Sequence, residues 1–259
     1  MILHLSDLHF GTEKTQCMHA IRQFCLRYKI EAVVVSGDLT QRARFKQFLA
    51  CRQFLDSLNA PYLTVPGNHD IPLYHIWNRI FSPFTPYQLF FGALETVLET
   101  EHFYLIGVNS IRPRYHTRGD ISLAQIQCVE GLLQQAPKNK YKLVVTHQPF
   151  YTPVLNRHAV KDCPLQGRLA LTQWSQYGLN GLLHGHLHVP AHYDLNQIYS
   201  LGAIHPIWDI HAGTATSFRL PRNLTNSFNV IHHHGEIEHY QFNATSQQFE
   251  IMDIDLVLK

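Results

Sequence analysis

Six consecutive residues, Val65-Pro66-Gly67-Asn68-His69-Asp70, place three polar side chains directly after a short apolar run, Tyr62 to Val65. The run is brief and closely flanked by turn formers, so it reads as a buried strand that hands chemistry to the following turn. Four other apolar runs end the same way: Ile2 to Ser6 leads to Asp7 and His9, Ala32 to Ser36 to Asp38, Leu143 to Thr146 to His147, and Gly181 to Leu183 to His184, His186 and His188. In an open α/β sheet, ligands gather outside the carboxyl ends of the strands, so five such runs converge on one crevice. That crevice is expected to hold metal. Carboxylate and amide oxygens mixed with neutral imidazole, without thiolate, suit manganese, iron or zinc better than an iron–sulfur cluster or a structural zinc knot. The donors exceed the needs of one ion. Two divalent ions about 3.5–4 Å apart and sharing a carboxylate would use them all, and would favour attack of hydroxide on a phosphate ester near neutral pH.

The rest of the chain supplies a scaffold for that arrangement. Lys14 to Tyr28 carries Cys17, Ile21, Phe24 and Cys25 at helical spacing, and Ala43 to Leu58 has a broad stripe of Phe45, Phe48, Leu49, Phe54, Leu55 and Leu58. Strand and helix alternate through the first third, which implies βαβ crossovers and parallel pairing. Residues 71–104 break the rhythm. They are rich in aromatics (Tyr74, Trp77, Phe81, Phe84, Tyr87, Phe90 and Phe91) and interrupted by Pro72, Pro83 and Pro86, so they read as a short helix and irregular cover. This insert leaves the sheet beside Asp70, where it can wall a substrate cleft or simply cover the sheet. Phe103 to Asn109 resumes the pattern, and Ser122 is expected to cap a helix to about Gln135 with Leu123, Ile126, Val129 and Leu133 on its apolar face. Pro164 to Tyr177 suits another helix. Ala191 to Tyr199, Ile210 to Ala215, Phe228 to His233 and Glu236 to Phe242 read as antiparallel strands, the last two joined by a turn at His234-Gly235. The fold class is therefore α/β, with two sheets packed face to face and helices outside.

Composition narrows the partners. A chain of 259 residues, 45% hydrophobic and without a Pro- or Ser-rich linker, is read as one domain over residues 1–259. Net charge is +2 and the basic residues are scattered, so there is no strong nucleic-acid or anionic-membrane signal. The expected partner is a small-molecule phosphoester or diphosphate; oligomeric state has no signature. Five cysteines without a Cys-x-x-Cys pair suit free thiols in a reducing compartment, which favours the cytoplasm. No signal peptide or transmembrane-length segment is expected.

Asp7-Leu8-His9, Gly37-Asp38, Gly67-Asn68-His69-Asp70, His147 at a strand end and Gly185-His186-Leu187-His188 together resemble the five ordered blocks of the calcineurin-like metallophosphoesterases. Within that superfamily the chain looks most like bacterial phosphohydrolases of the cyclic-nucleotide phosphodiesterase type. The resemblance implies a four-layer αββα sandwich of two mixed β-sheets flanked by helices. It also implies two divalent ions (Mn, Fe or Zn), with Asp7, His9 and His188 on one, Asn68, His147 and His186 on the other, and Asp38 between them. His69 would act on the transition state or leaving oxygen, oriented by Asp70. The implied reaction is phosphodiester hydrolysis by a metal-bridging hydroxide. Cleavage of a nucleotide-sugar or lipid-linked diphosphate is the alternative, and a non-catalytic scaffold is disfavoured because all seven ligand positions are filled.

Several polar residues fall outside that pattern. His184 and His4 are read as buried, hydrogen-bonded histidines rather than ligands. Arg42 and Arg44 can meet a substrate phosphate or open a solvated helix. His116 and Arg118 lie before Gly119 in a loop that can face the site or form a polar surface, the latter favoured, and His232-His233-His234 belong to the surface, because a strand would point its members to opposite faces.

Overall fold

The computed structural model describes residues 1–73, 76–153 and 159–252. Strands β1 (Ile2–Leu5), β2 (Ala32–Val35) and β3 (Tyr62–Thr64) run parallel, separated by helices α1 (Thr15–Arg27) and α2 (Phe45–Asp56). After β3 come two short helices, α3 (Ile76–Phe81) and α4 (Thr85–Phe91), then β4 (Thr96–Glu99) and β5 (Phe103–Gly107). Helix α5 (Leu123–Gln135), β6 (Tyr141–Val145), α6 (Gly167–Trp174) and β7 (Gly181–His184) complete the crossover half. The remainder holds β8 (Ala191–Asp194), α7 (Leu195–Tyr199), β9 (Trp208–His211), β10 (Ser227–Ile231), β11 (Ile237–Asn243) and β12 (Gln248–Ile251).

Two six-stranded mixed sheets result, ordered β12-β11-β10-β1-β2-β3 and β4-β5-β6-β7-β9-β8. Alternation along each strand sends side chains to opposite faces, and the burial follows it. Ile2, Val34, Leu63, Leu105, Leu143, Leu183 and Ile210 fill the space between the sheets. Leu3, Leu5, Val33 and Val35 face outward to meet Cys17, Ile21 and Phe24 of α1 and Phe48, Phe54 and Leu55 of α2. Val144 and Leu182 face the other way, toward Ile126, Val129 and Leu133 of α5 and Leu171 and Trp174 of α6. The four layers are those the sequence implies. The parallel strands β1, β2, β5 and β7 are buried along their whole length, as parallel sheets require.

Local chemistry explains where elements begin. Ser122 caps α5: its Oγ accepts the Gln125 N–H at 3.2 Å, while Gln125 Oε1 accepts the Ser122 N–H at 2.9 Å. The expected strand over 191–199 stops at Asp194, whose carboxylate accepts the N–H groups of Asn196 and Gln197 and starts α7 instead. The expected strand over 210–215 lies earlier, at 208–211. Past it, Ala212 N–H still bonds to His184 O, and Ala215 N–H crosses to Ser6 O in the other sheet. β9 is antiparallel to β8 but parallel to β7, so it is only partly the antiparallel strand the pattern suggests.

Other differences arise at edges. Residues 71–104 are less irregular than their prolines imply, since Thr96–Glu99 pairs antiparallel with β5 as an edge strand. Tyr87 is buried in the α2 face with Phe90 and Phe91 against it, whereas Trp77 and Phe81 are 71% and 74% exposed and stack at 5.8 Å. Tyr74 lies outside the described residues. On the helical stripes, Phe45, Leu49 and Leu123 are exposed. An additional edge strand, β12, pairs with β11. The His232-His233-His234 run lies at the surface, with His232 and His234 facing Glu238 and Glu236. All five cysteines are free. Among the described residues, no helix is long and apolar enough to cross a membrane.

The two sheets are stapled at the end opposite their carboxyl turns. Glu31, just before β2, accepts from the Met1 amine at 3.1 Å, Thr100 Oγ1 at 3.0 Å and the His102 N–H at 3.1 Å, the last two in the β4–β5 turn. Burial pushes the Glu31 carboxyl up, but these hydrogen bonds prevail and bring it from 4.5 to about 2. A carboxyl lowered on folding contributes stability that is complete above its unfolded pKa and disappears as pH falls through the folded value. Glu31→Gln should therefore lower stability at pH 7, and the gap from the unsubstituted chain should narrow between pH 4.5 and about 2. Urea titrations of both proteins at several pH values test this; a gap that stays constant to pH 3 contradicts it.

Candidate metal centre

Five strand ends deliver the site. β1 leads to Asp7 and His9, β2 to Asp38, β3 to a single 3-10 turn over Asn68–Asp70, β6 to His147, and β7 to His186 and His188. Asp7, His9, Asp38, His186 and His188 all have positive φ, between 46° and 68°. The left-handed region is costly for residues with a Cβ and recurs at functional sites. Here it turns each side chain back over the strand ends.

The seven donors form two groups that meet at Asp38. In the first, His188 Nε2 is 3.0 Å from Asp7 Oδ1 and 3.2 Å from His9 Nε2, and His9 Nε2 is 3.6 Å from Asp38 Oδ2. One donor atom from each of Asp7, His9, Asp38 and His188 lies within 4.8 Å of all the others. In the second, His147 Nε2 is 3.5 Å from Asp38 Oδ1, 3.0 Å from Asn68 Oδ1 and 3.3 Å from His186 Nδ1. The two oxygens of Asp38 thus face different groups. Asp7 Oδ1 and His9 Nδ1 are buried without hydrogen-bond partners. Lone pairs crowded on two centres, and an orphaned carboxylate oxygen among them, fit cations held between these side chains.

Surrounding groups orient the donors. The Ser36 carbonyl accepts from His147 Nδ1 at 2.9 Å and the Arg219 carbonyl from His188 Nδ1 at 3.0 Å, which leaves both Nε2 atoms free to ligate. The His186 N–H donates to Asp7 Oδ2 at 3.0 Å and the His69 N–H to Asp38 Oδ1 at 2.8 Å. Burial keeps His9 and His147 neutral, His147 with a pKa lowered to about 3, and a neutral imidazole is the ligating form. Asp38 is pushed well above the carboxylate range by burial and then by the neighbouring charges of Asp7 and Asp70. Burial also pushes Asp7 up, but His188 outweighs it and holds that carboxyl low. A bound cation would reverse the pressure on Asp38.

His69 stands beside the donors. Its Nδ1 donates to the Gln41 carbonyl at 3.0 Å, leaving Nε2 3.3 Å from Arg219 Nη1. The expected partner, Asp70, is engaged elsewhere. Its carboxylate accepts the N–H groups of Leu39, Thr40 and Gly67 and the Thr40 hydroxyl at 2.8–3.0 Å, tying the β2 and β3 turns together. The imidazole is therefore oriented by Gln41, and Asp70 acts on the loops that carry Asp38 and Asn68. Arg219 had no sequence signal, because it arrives from a segment 150 residues away. Asp162, 3.4 Å from His186 Nε2, was equally silent. Beside His69, a cavity of about 80 Å³ is lined by Gln41, Arg42, Ile71, Leu73, Arg79 and His116, among others. Arg42 and His116 thus border the site. Among the described residues, the insert contributes Ile71, Leu73 and Arg79 to this wall and no aromatic ring.

Residues 1–190 match the calcineurin-like phosphoesterase family model, and the chain belongs to that family. It is 33% identical over 85 residues to the glycerophosphodiester phosphodiesterase GpdQ of Enterobacter lignolyticus, covering 27% of this chain and 29% of that protein. It is 25% identical over 127 residues to a probable glycerophosphodiester phosphodiesterase GpdQ of Arcobacter nitrofigilis, covering 48% and 44%. The matches span less than half the length of these curated relatives. The fold is similar to that of purple acid phosphatase PPD1 from yellow lupin (Lupinus luteus), with a TM-score of 0.65 at 14% identity over 96% of this chain and 52% of that one.

The glycines of two family blocks have a steric reason. A Cβ on Gly67 would overlap the backbone N and Oδ1 of Asp38, and one on Gly37, at φ +95°, would overlap the His147 ring. Gly67→Ala should displace Asp38 and lower metal content by at least one ion per chain, with a smaller effect on the melting temperature than on metal retention. Elemental analysis after dialysis, with a thermal melt, tests this; unchanged metal content contradicts it.

Proposed function

We propose that this protein is a dinuclear metal-dependent phosphodiesterase. The observation that carries the reading is the placement of Asp38, whose two oxygens face two separate histidine-containing groups at 3.6 and 3.5 Å. On this reading Asp7, His9 and His188 would hold one divalent ion and Asn68, His147 and His186 the other, with Asp38 shared between them. Two such ions supply Lewis acidity toward phosphoryl oxygens and a nucleophile at neutral pH. Manganese, iron and zinc all suit the donor set.

The chain's own residues supply the rest. His69, fixed as the Nδ1–H tautomer by Gln41, points Nε2 at the space beside the donors. Protonated there, it donates to the leaving oxygen; neutral, it accepts from a donor such as Arg219. The Arg219 guanidinium also bonds to Gln41 Oε1 at 3.1 Å, so it stands where a phosphoryl oxygen would draw it onto the substrate. Asp70 holds the turns in register. Ile71, Leu73 and Arg79 wall the pocket into which a leaving group extends. The names of the curated relatives favour a diester over a diphosphate substrate. Five free cysteines favour a reducing compartment, and we place the enzyme in the cytoplasm. We read residues 1–259 as a single catalytic unit.

Two experiments test this. Asp38→Ala should lose both ions by elemental analysis and all metal-dependent turnover; two ions retained per chain would move the bridge elsewhere. The chelated enzyme, reloaded with manganese, iron or zinc, should hydrolyse aryl, glycerol and cyclic phosphodiesters faster than the matching monoesters and faster than nucleotide-diphosphate lipids. Preference for the diphosphates would replace the diesterase reading with a pyrophosphatase one.

A further inference from the structure

A second group of metal-binding side chains lies behind the strand that carries His186 and His188. His184 ends β7 and pairs in register with His211 of β9, and Asp209 sits two residues before His211 on the same face. That face is the outer one, since Leu183 and Ile210, the intervening residues, point between the sheets. His184 and Asp209 are completely buried and His211 is 2% exposed. One donor atom from each of the three lies within 4.8 Å of the other two.

The contacts among them are only half those of a hydrogen-bonded cluster. Asp209 Oδ2 accepts the Tyr151 N–H at 3.0 Å and stands 3.2 Å from His211 Nε2 in hydrogen-bonding alignment. Asp209 Oδ1 is 2.9 Å from His184 Nε2, yet neither atom is aligned on the other, and both are buried without a hydrogen-bond partner. Two buried polar atoms that meet as an ion pair without hydrogen-bonding alignment leave lone pairs that a cation can share. With metal–ligand bonds near 2.0–2.2 Å, adjacent ligands of a tetrahedral ion stand about 3.3–3.6 Å apart, wider than the 2.9 and 3.2 Å here, so a cation would spread the three side chains slightly. The orphaned Asp7 Oδ1 in the family site has the same character, at 3.0 Å from His188 Nε2. A buried carboxylate oxygen and imidazole nitrogen held without a hydrogen bond are a destabilising arrangement that a shared cation relieves.

We propose that His184, Asp209 and His211 bind a further divalent cation, separate from the ions gathered at Asp38. Two imidazoles and one carboxylate in a closed, tight setting suit zinc. The Tyr151 N–H fixes the carboxylate from outside the ion, and binding through His211 Nε2 requires the ring proton that faces Asp209 to move to Nδ1. Such an ion clamps the end of β7 to β9 just before the turn that bears His186 and His188.

The test uses the full chain, stripped with chelator, reloaded with zinc and desalted. His211→Gln should hold one ion fewer per chain than the unsubstituted protein. An Asp7→Asn, Asp38→Asn double variant, which empties the family site while relieving the repulsion between its two buried carboxyls, should keep one ion. Reloaded with cobalt, that double variant should show the intense visible absorption of a tetrahedral site, and adding His211→Gln should abolish it. Equal metal content with and without His211→Gln overturns the proposal. A cobalt-treated double variant with no bound ion also overturns it, and that measurement stands even where His211→Gln fails to fold. Loss of turnover is not used as a readout, so failure of the phosphodiesterase reading leaves this result interpretable.

Discussion

Left-handed backbone at the strand ends is the constraint on which the rest of the structure depends. Asp7, His9, Asp38, His186 and His188 all carry a Cβ at positive φ. Asp and His tolerate this region better than most residues, yet each still carries strain that its surroundings must hold. The surrounding turns are built to hold it. The Asp7 and His9 N–H groups bond to Gly37 O and Asp38 O, Phe10 N–H bonds to Leu39 O, and the Thr214 and Thr216 hydroxyls donate to Asp7 O and Leu8 O. Asp70 gathers four donors from the neighbouring turns. Each loop is locked to another, so none of the strained residues can relax alone.

What the strain provides is an excess of buried negative potential. Asp7, Asp38 and Asp70 are all buried within one set of loops, while His9 and His147 are kept neutral by burial. Burial and its acidic neighbours together drive Asp38 toward protonation when no cation is near. On the dinuclear reading proposed above, the carboxylate that would bridge two ions is therefore the one that would gain most from their arrival. His69 and Arg219 lie beside this cluster of donors, 3.3 Å from one another.

Much of this was legible in the chain because the relevant signals are local. A short apolar run followed by Gly, Asp, Asn or His identifies a strand and its polar delivery within six or seven residues, and five repetitions define both the parallel half of the fold and the donors. Ser122 announced its helix for the same reason. Features that depend on register or distant loops were not legible. His184 and His211 are neighbours only because β7 and β9 pair, and Arg219 reaches His69 only after the chain has crossed both sheets. Asp194 turned a strand into a helix by capping, and Gln41 took over the His69 ring because Asp70 was needed elsewhere. The aromatic insert divided in two: Tyr87 found a core, whereas Trp77 and Phe81 stacked on each other in solvent.

The account stands on the claim that Asp38 lies between two metal ions. A crystal of the chain loaded with manganese, measured on the manganese absorption edge, locates those ions directly by anomalous scattering. Two peaks separated by about 3.5–4 Å, one on each side of the Asp38 carboxylate, are the predicted result. A single peak at Asp7, His9 and His188, with none between His147 and His186, would contradict it.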